Sequence, residues 1–363
     1  MVPLAVAVER ALPGLRRRGY SVVDGAFGEE FCRRCLGELR GAQRRGLLSP
    51  NATHFVRRSG TVDVLRKHGI SEVSSADPET WRQCRFQAIQ DFADMSDSSD
   101  LLSALQGLAG RPGLAFTTVK AQANDGTGGC YPLHCDSEPG VDGKLLTGIL
   151  YLNEDWAPSH GGQLVLHPFP SKPTSVEPIF GRLVLFFSTQ MLHRVLPAWR
   201  PRFCLNLWMY SSAPQTVRAG APFIGSRTCE ADVVEEQAMT VLLHPKFRRH
   251  WAKLALANEW EESLRDAHPA TPHLDKAITQ HRTEVQKIGS SLGQFLGEIG
   301  LTHPDVPCAK DLPYFLAEKY LPLAERVHHH RQEGGVSSEW GDDSHGTKSR
   351  TTLNREGRLV EWF

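Results

Sequence analysis

LLTGILYLNEDWAPSHGGQLVLHPFPSKPTSVEPIFGRLVLFFSTQMLHRVLPAWRPRFCLNLWMY, residues 145–210, is a series of short apolar runs cut by glycine and proline clusters. Runs rich in branched and aromatic residues with turn residues between them read as strands. The pattern predicts strands at 145–152, 163–167, 175–177, 183–187, 192–196 and 203–210, and two more upstream at 115–121 and 133–136. No helical stretch interrupts them. Short strands at this spacing predict a sandwich or jelly roll.

Outward from this core the texture changes. Tyr20 to Val23 reads as a short strand and residues 28–45 as a helix; helical character returns over 78–110. Between them, residues 47–78 are polar with Gly60 and Gly69, which predicts an exposed connection. Beyond Pro214, residues 233–267, 273–299 and 312–330 carry apolar residues at threes and fours, predicting helices. Residues 331–355 are too polar and glycine-rich to repay the entropy of ordering.

At 363 residues, with 40% hydrophobic and 23% charged side chains, the chain has the composition of a folded protein. Lysine plus arginine and aspartate plus glutamate both total 41, so no net field favours a polyanion, and no basic aromatic stripe marks a nucleic-acid face. No apolar run approaches the roughly 20 residues of a membrane-spanning helix. In MVPLAVAVERALPGLRRRGY the arginines follow the apolar stretch, the wrong order for a secretory leader. Eight cysteines in such a chain read as reduced thiols of a cytoplasmic or nuclear protein. Cys32 and Cys35 form a CxxC pair, but with Phe31 and Leu36 they lie on one helix face and read as buried cysteines.

Three residues point to a metal. On an extended strand His134 and Asp136 point to one side and can grip one ion together. A His-x-Asp alone is common, and a solvated strand pair explains it equally well. His193, between two strands some sixty residues on, supplies a third ligand. Two histidines and a carboxylate on one face suit ferrous iron and leave positions open for a cosubstrate and oxygen. Arg202 opens the strand RFCLNLWMY in phase with Asn206 and Trp208, so it faces inward. A buried guanidinium needs an anion, and its fork fits a carboxylate; the alternative is a surface arginine after a turn, beside Arg194 and Arg200. His160 and His167 read as loop and strand histidines, and the adjacent His328, His329 and His330 face different directions on a helix.

The ordered pieces YPLHCD (131–136), TGILYLNEDW (147–156), GGQLVLHP (161–168), VEPIFGRLVLF (176–186), LHRVLP (192–197) and RPRFCLNLW (200–208) resemble the catalytic core of the prolyl 4-hydroxylase family of iron/2-oxoglutarate dioxygenases. Within that family the hypoxia-inducible-factor prolyl hydroxylases are most similar in pattern. The resemblance implies a double-stranded β-helix (jelly-roll) core at 111–212 with strand and helix support at 1–110. The helical region at 213–331 and the flexible tail at 332–363 match no part of the family and are read from the pattern itself; with them the fold class is α+β. The resemblance also implies Fe(2+), 2-oxoglutarate and O2, with L-ascorbate as reductant, and hydroxylation of a prolyl residue in a protein or peptide with release of succinate and carbon dioxide.

Tyr151 is implied to hydrogen-bond the far carboxylate of 2-oxoglutarate beside Arg202, Tyr131 to line the substrate mouth, and Trp208 to lie near the metal; each is also explicable as packing. One departure stands out. These hydroxylases carry another tyrosine ahead of the glycine-rich turn, where KAQANDGTGG (120–129) offers Gln122 or Asn124. Hydroxylation of another side chain or a small molecule, or a catalytically weak binding or scaffold module, are the alternatives.

Overall fold

Alternation organises the central strand, β11 (Arg202–Ser211): Phe203, Leu205, Leu207 and Met209 are buried on one face, and Arg202, Cys204, Asn206 and Trp208 share the other. The computed structural model describes residues 4–56, 62–96, 114–137, 143–211 and 245–298. β11 lies within a seven-stranded sheet ordered β1 (Tyr20–Val23), β9 (Leu183–Phe187), β6 (Lys144–Tyr151), β11, β4 (Leu114–Asn124), β3 (Val62–Ser74) and β2 (Ser49–Val56). A second sheet is ordered β5 (Tyr131–His134), β10 (Leu192–Val195), β7 (Leu164–His167) and β8 (Thr174–Val176). All these pairings are antiparallel. The two sheets form the predicted jelly roll, and with the helices the fold is α+β.

Helices back the larger sheet. α1 (Leu4–Arg18) packs on β1 and β9, burying Leu4, Val8, Ala11 and Leu15. α2 (Glu29–Arg44) packs on β4 and buries Phe31, Cys32, Cys35, Leu36 and Leu39. Each buried leucine or phenylalanine contributes about 1.5–3 kcal/mol. Together they outweigh the roughly 1 kcal/mol each that Gly37 and Gly41 cost inside a helix. Cys32 and Cys35 are free thiols, and burial pushes Cys32 up to about 11. α3 (Pro78–Cys84) starts on Asp77, whose carboxylate accepts from Thr80 N–H. α4 (Ala88–Ser96) is capped by Glu38 of α2, which accepts from the N–H groups of Gln87, Ala88 and Ile89.

The structure departs from the sequence expectation over residues 47–78, which hold β2 and β3 rather than an exposed connection. Two things hide these strands. Their polar residues Asn51, Lys67 and Glu72 bond to one another and to β4, so polarity here marks contact and not exposure to solvent. The β2–β3 register also shifts between Pro50 and Ala52, opposite Gly69 at φ +63°, and this bulge breaks the two-residue period. A side chain at Gly69 would collide with Asp125, whose N–H donates to the Gly69 carbonyl.

Past the sheets lie α5 (Pro245–Ala255), α6 (Ala257–Ala267) and α7 (Pro272–Glu298). The described residues fall into two compact units, one holding those up to 211 together with 257–283, the other 245–256 and 284–298. In the first, Leu264 of α6 and Leu274 and Ile278 of α7 bury against Leu65 of β3. In the second, Lys253 pairs with Glu284, and Gly289 lies against Leu254. The predicted helix over 312–330, the predicted tail and His328–His330 lie outside the described residues. Among the described residues no helix is long and apolar enough to cross a membrane.

Candidate active site

His134 ends β5, and His193 is its direct cross-strand partner on β10. His134 Nδ1 bonds the Pro132 carbonyl at 2.7 Å, and His193 Nδ1 bonds the Met191 carbonyl at 3.0 Å. A carbonyl can only accept, so each Nδ1 carries the proton and each Nε2 presents a lone pair. Both lone pairs face Asp136 Oδ1, at 3.4 Å from His134 and 3.7 Å from His193. Asp136 lies just past the end of β5 instead of on it, yet its carboxylate still turns to the same point. One donor atom from each of the three residues lies within 4.8 Å of the others, and this is the one such cluster among the described residues.

The second carboxylate oxygen is tied back. Asp136 Oδ2 accepts from Thr147 Oγ1 at 2.6 Å and from Trp208 Nε1 at 3.1 Å, leaving Oδ1 free for an ion. Burial opposes the charge on Asp136, but His193, His134 and Thr147 together outweigh it and hold the carboxyl well below its usual range. Burial, reinforced by His134, pushes His193 down to about 4, so its imidazole is neutral near pH 7, as a metal ligand requires.

Arg202 lies at the other end of the same inward face of β11. It is buried; its Nε donates to Gly162 O at 3.0 Å and its Nη1 contacts Cys204 Sγ at 3.5 Å. Among the described residues no carboxylate is within ion-pair distance of it. Its guanidinium lies 5.0 Å from the ring centre of Tyr151, which is fully buried, with a hydroxyl that lacks a partner among the described residues. Burial pushes that phenol up to about 12, so it is a donor. A buried unpaired cation beside a buried unsatisfied hydroxyl is costly unless a ligand completes both, and a carboxylate does.

The structure separates Gln122 from Asn124. Asn124 builds the glycine-rich turn, donating to Gly129 O at 2.8 Å and accepting from Gly126 N–H at 3.0 Å. Gln122 faces the site: its amide donates to the Tyr131 hydroxyl and to Glu72 Oε2 at 3.1 Å. Tyr131 in turn lies over His134, with ring centres 6.3 Å apart. At the rim Lys120 and Lys144 flank the Trp208 ring at 5.0 and 5.1 Å, and Lys67, which burial lowers to about 8, lies 4.4 Å from the centre of the Tyr131 ring.

Thr147, Glu72 and Lys67 carry no role in the sequence reading. The signal that could have found Glu72 is that polar residues alternate with small apolar ones along β4, at Lys120, Gln122 and Asn124, marking a polar interior face for a neighbouring strand to meet. His160 bonds Ala157 N–H in a turn, and His167 sits on β7 opposite Leu192, beside the His193 strand; neither belongs to the donor cluster.

Comparison with known proteins agrees with this geometry. Residues 119–210, which include each of the triad residues together with Tyr151 and Arg202, match the 2OG-Fe(II) oxygenase superfamily. Egl nine homolog 1 of Rattus norvegicus is 29% identical over 230 residues, a match covering 61% of this chain and 63% of the rat protein, less than two thirds of that relative. Prolyl hydroxylase EGLN3 of Mus musculus is 40% identical over 99 residues, covering 26% of this chain and 39% of the mouse protein. A prolyl 4-hydroxylase crystal structure from Phytophthora capsici superposes with a TM-score of 0.63 at 25% identity, covering 86% of this chain and 95% of that one. Residues 119–210 therefore carry a 2OG-Fe(II) oxygenase domain, and the chain around it is similar to prolyl 4-hydroxylases.

Proposed function

We propose that the chain is an iron- and 2-oxoglutarate-dependent dioxygenase that hydroxylates a carbon–hydrogen bond, on a prolyl residue of a protein or peptide. The observation that carries this reading is the joint presence of two needs in one barrel. A three-donor cluster is part-exposed to solvent at His134, and buried Arg202 and Tyr151 have no anion among the described residues.

His134, Asp136 and His193 would hold Fe(2+), and Arg202 with Tyr151 would hold the far carboxylate of 2-oxoglutarate. The donor set of two imidazoles and one carboxylate fits ferrous iron. When bound, the iron supplies oxygen activation coupled to conversion of 2-oxoglutarate to succinate and carbon dioxide. Thr147 and Trp208 fix which carboxylate oxygen of Asp136 is offered, and the Pro132 and Met191 carbonyls fix the histidine tautomers. Phe186, 4.6 Å from the His193 ring centre, lines the buried side and helps exclude water. Tyr131, Trp208 and the lysines beside them would form the substrate side. L-Ascorbate enters as the reductant that keeps the iron ferrous.

The prolyl target is supported by the names of the mouse and Phytophthora capsici proteins. The described cysteines are free, which supports a reducing compartment, cytoplasm or nucleus. Mass spectrometry of a cell extract incubated with wild type or with Asp136→Ala tests the target. Prolyl residues gaining one oxygen only with wild type support the reading; gains confined to other residues or to small molecules replace it with one of the alternatives.

A further inference from the structure

We propose that α6 is a strut for the metal centre, with Ser263, Glu259 and Asp266 as positioning residues that act on the strands carrying both histidines. The proposal rests on the reading of His134 and His193 as iron ligands.

The strands that hold those histidines are short. β5 and β10 have four residues each, and β5 lies at the edge of its sheet, so one row of its backbone groups has no strand to pair with. α6 supplies what the sheet does not. Leu133 N–H, one residue before His134, donates to Ser263 Oγ at 2.8 Å. Ser263 is fully buried, and its own hydroxyl donates to Trp260 O at 2.7 Å, which aims its lone pairs at the strand.

The next strand is gripped by charge. Arg194 follows His193, so alternation sends its side chain to the opposite face of the sheet, outside the barrel. It is buried there, and its guanidinium meets Asp266 Oδ2 at 2.9 Å and Glu259 Oε1 at 3.8 Å. Glu259 also lies 3.3 Å from His167 Nε2 on β7, the strand beyond. One helix of about three turns therefore touches the residue beside each histidine ligand and the strand flanking them.

α6 is itself fixed from behind. Leu264 is buried against Leu65 of β3, and His268 bonds both the Leu264 carbonyl and the Thr53 hydroxyl of β2 at 3.0 Å. The spacing of Glu259, Ser263 and Asp266 by four and three places all three on one helix face, toward the sheet. Groups that orient metal ligands typically cost about 10–100-fold in metal affinity when removed.

The test uses the full chain, with Mn(2+) as a redox-stable probe of the iron site. Metal affinity is measured by calorimetry for wild type, Ser263→Ala and the Glu259→Gln/Asp266→Asn pair, at a temperature where circular dichroism shows each variant folded. The visible absorption of the anaerobic complex with Fe(2+) and 2-oxoglutarate is recorded alongside. Both variants are expected to bind Mn(2+) roughly 10-fold more weakly, with a displaced or broadened absorption band. Should the pair fail to fold, Arg194→Met/Glu259→Gln/Asp266→Asn removes the buried charge as well and is expected to show the same loss. Wild-type affinity and an unchanged band in the folded variants would overturn the strut. Absence of Mn(2+) binding by wild type would instead sink the iron reading beneath it.

Discussion

His134 and His193 face each other across a pair of antiparallel strands, with ring centres 4.3 Å apart and both Nε2 atoms directed at one oxygen of Asp136. Cross-strand register delivers the two imidazoles, and the turn after β5 delivers the carboxylate. The three-donor cluster is therefore built on a strand pair, with two backbone carbonyls and two side-chain donors orienting its groups.

Thr147→Val keeps the shape of the side chain but removes one of the two donors to Asp136 Oδ2, leaving Trp208 Nε1. The carboxylate is then free to rotate. Iron affinity is expected to fall by about 10-fold, with little change in the affinity for 2-oxoglutarate of the iron-loaded form. Calorimetric titration of each ligand distinguishes the two; equal affinities in wild type and variant would contradict the tie.

Tyr151→Phe should have opposite effects on folding and binding. It removes a buried hydroxyl with no partner among the described residues, so the ligand-free protein is expected to become slightly more stable. It also removes a donor to the cosubstrate, a hydrogen bond to a charged group worth about 1.5–3 kcal/mol, so the KM for 2-oxoglutarate is expected to rise roughly 10- to 100-fold. Thermal melts and initial rates check both halves, and an unchanged KM would remove Tyr151 from the anion seat.

Gly162→Ala is expected to disable the same seat from outside it. Gly162 has φ +76°, and a Cβ there would lie 2.8 Å from Arg202 Cδ. The substitution both strains the backbone, at about 1–3 kcal/mol, and pushes the arginine stem aside. A lowered melting temperature together with weakened 2-oxoglutarate binding is the expected pair of results; wild-type binding would show that Arg202 is not held through this turn.

His268 predicts a pH dependence of stability. Burial holds this ring below its ordinary value of 6.5 while it bonds Leu264 O and Thr53 Oγ1. The unfolded chain takes up a proton first as pH falls, so this contribution is fully present above the unfolded pKa and is lost as pH falls through the lower, folded value. Urea unfolding midpoints should therefore drop on acidification from about pH 7 to about pH 5, and less steeply in His268→Gln. Parallel profiles would contradict it.

Much of the barrel could be read from the sequence because its strands are apolar outside and bounded by glycine and proline. The strand runs at 145–152, 183–187 and 203–210 nearly coincide with β6, β9 and β11. His134, Asp136 and His193 stood out by residue type, and Arg202 by its phase on an otherwise apolar strand. What escaped the sequence is polar structure that depends on distant partners. β3 looks like a loop because Lys67 and Glu72 are polar to serve the site, and the bulge at Gly69 interrupts the period that would have marked a strand. Ser263, Glu259 and Asp266 look like an ordinary wet helix face, since their partners Leu133, His167 and Arg194 lie roughly 60–130 positions away.

The most direct test of the whole account is succinate formation from 2-oxoglutarate by purified wild type, His134→Ala and Asp136→Ala, with Fe(2+), ascorbate and oxygen. The account predicts succinate from wild type, abolished by removing iron with a chelator and absent in both variants. Equal succinate from wild type and the variants, or none from wild type that binds both iron and 2-oxoglutarate and is supplied with prolyl peptides, would contradict it.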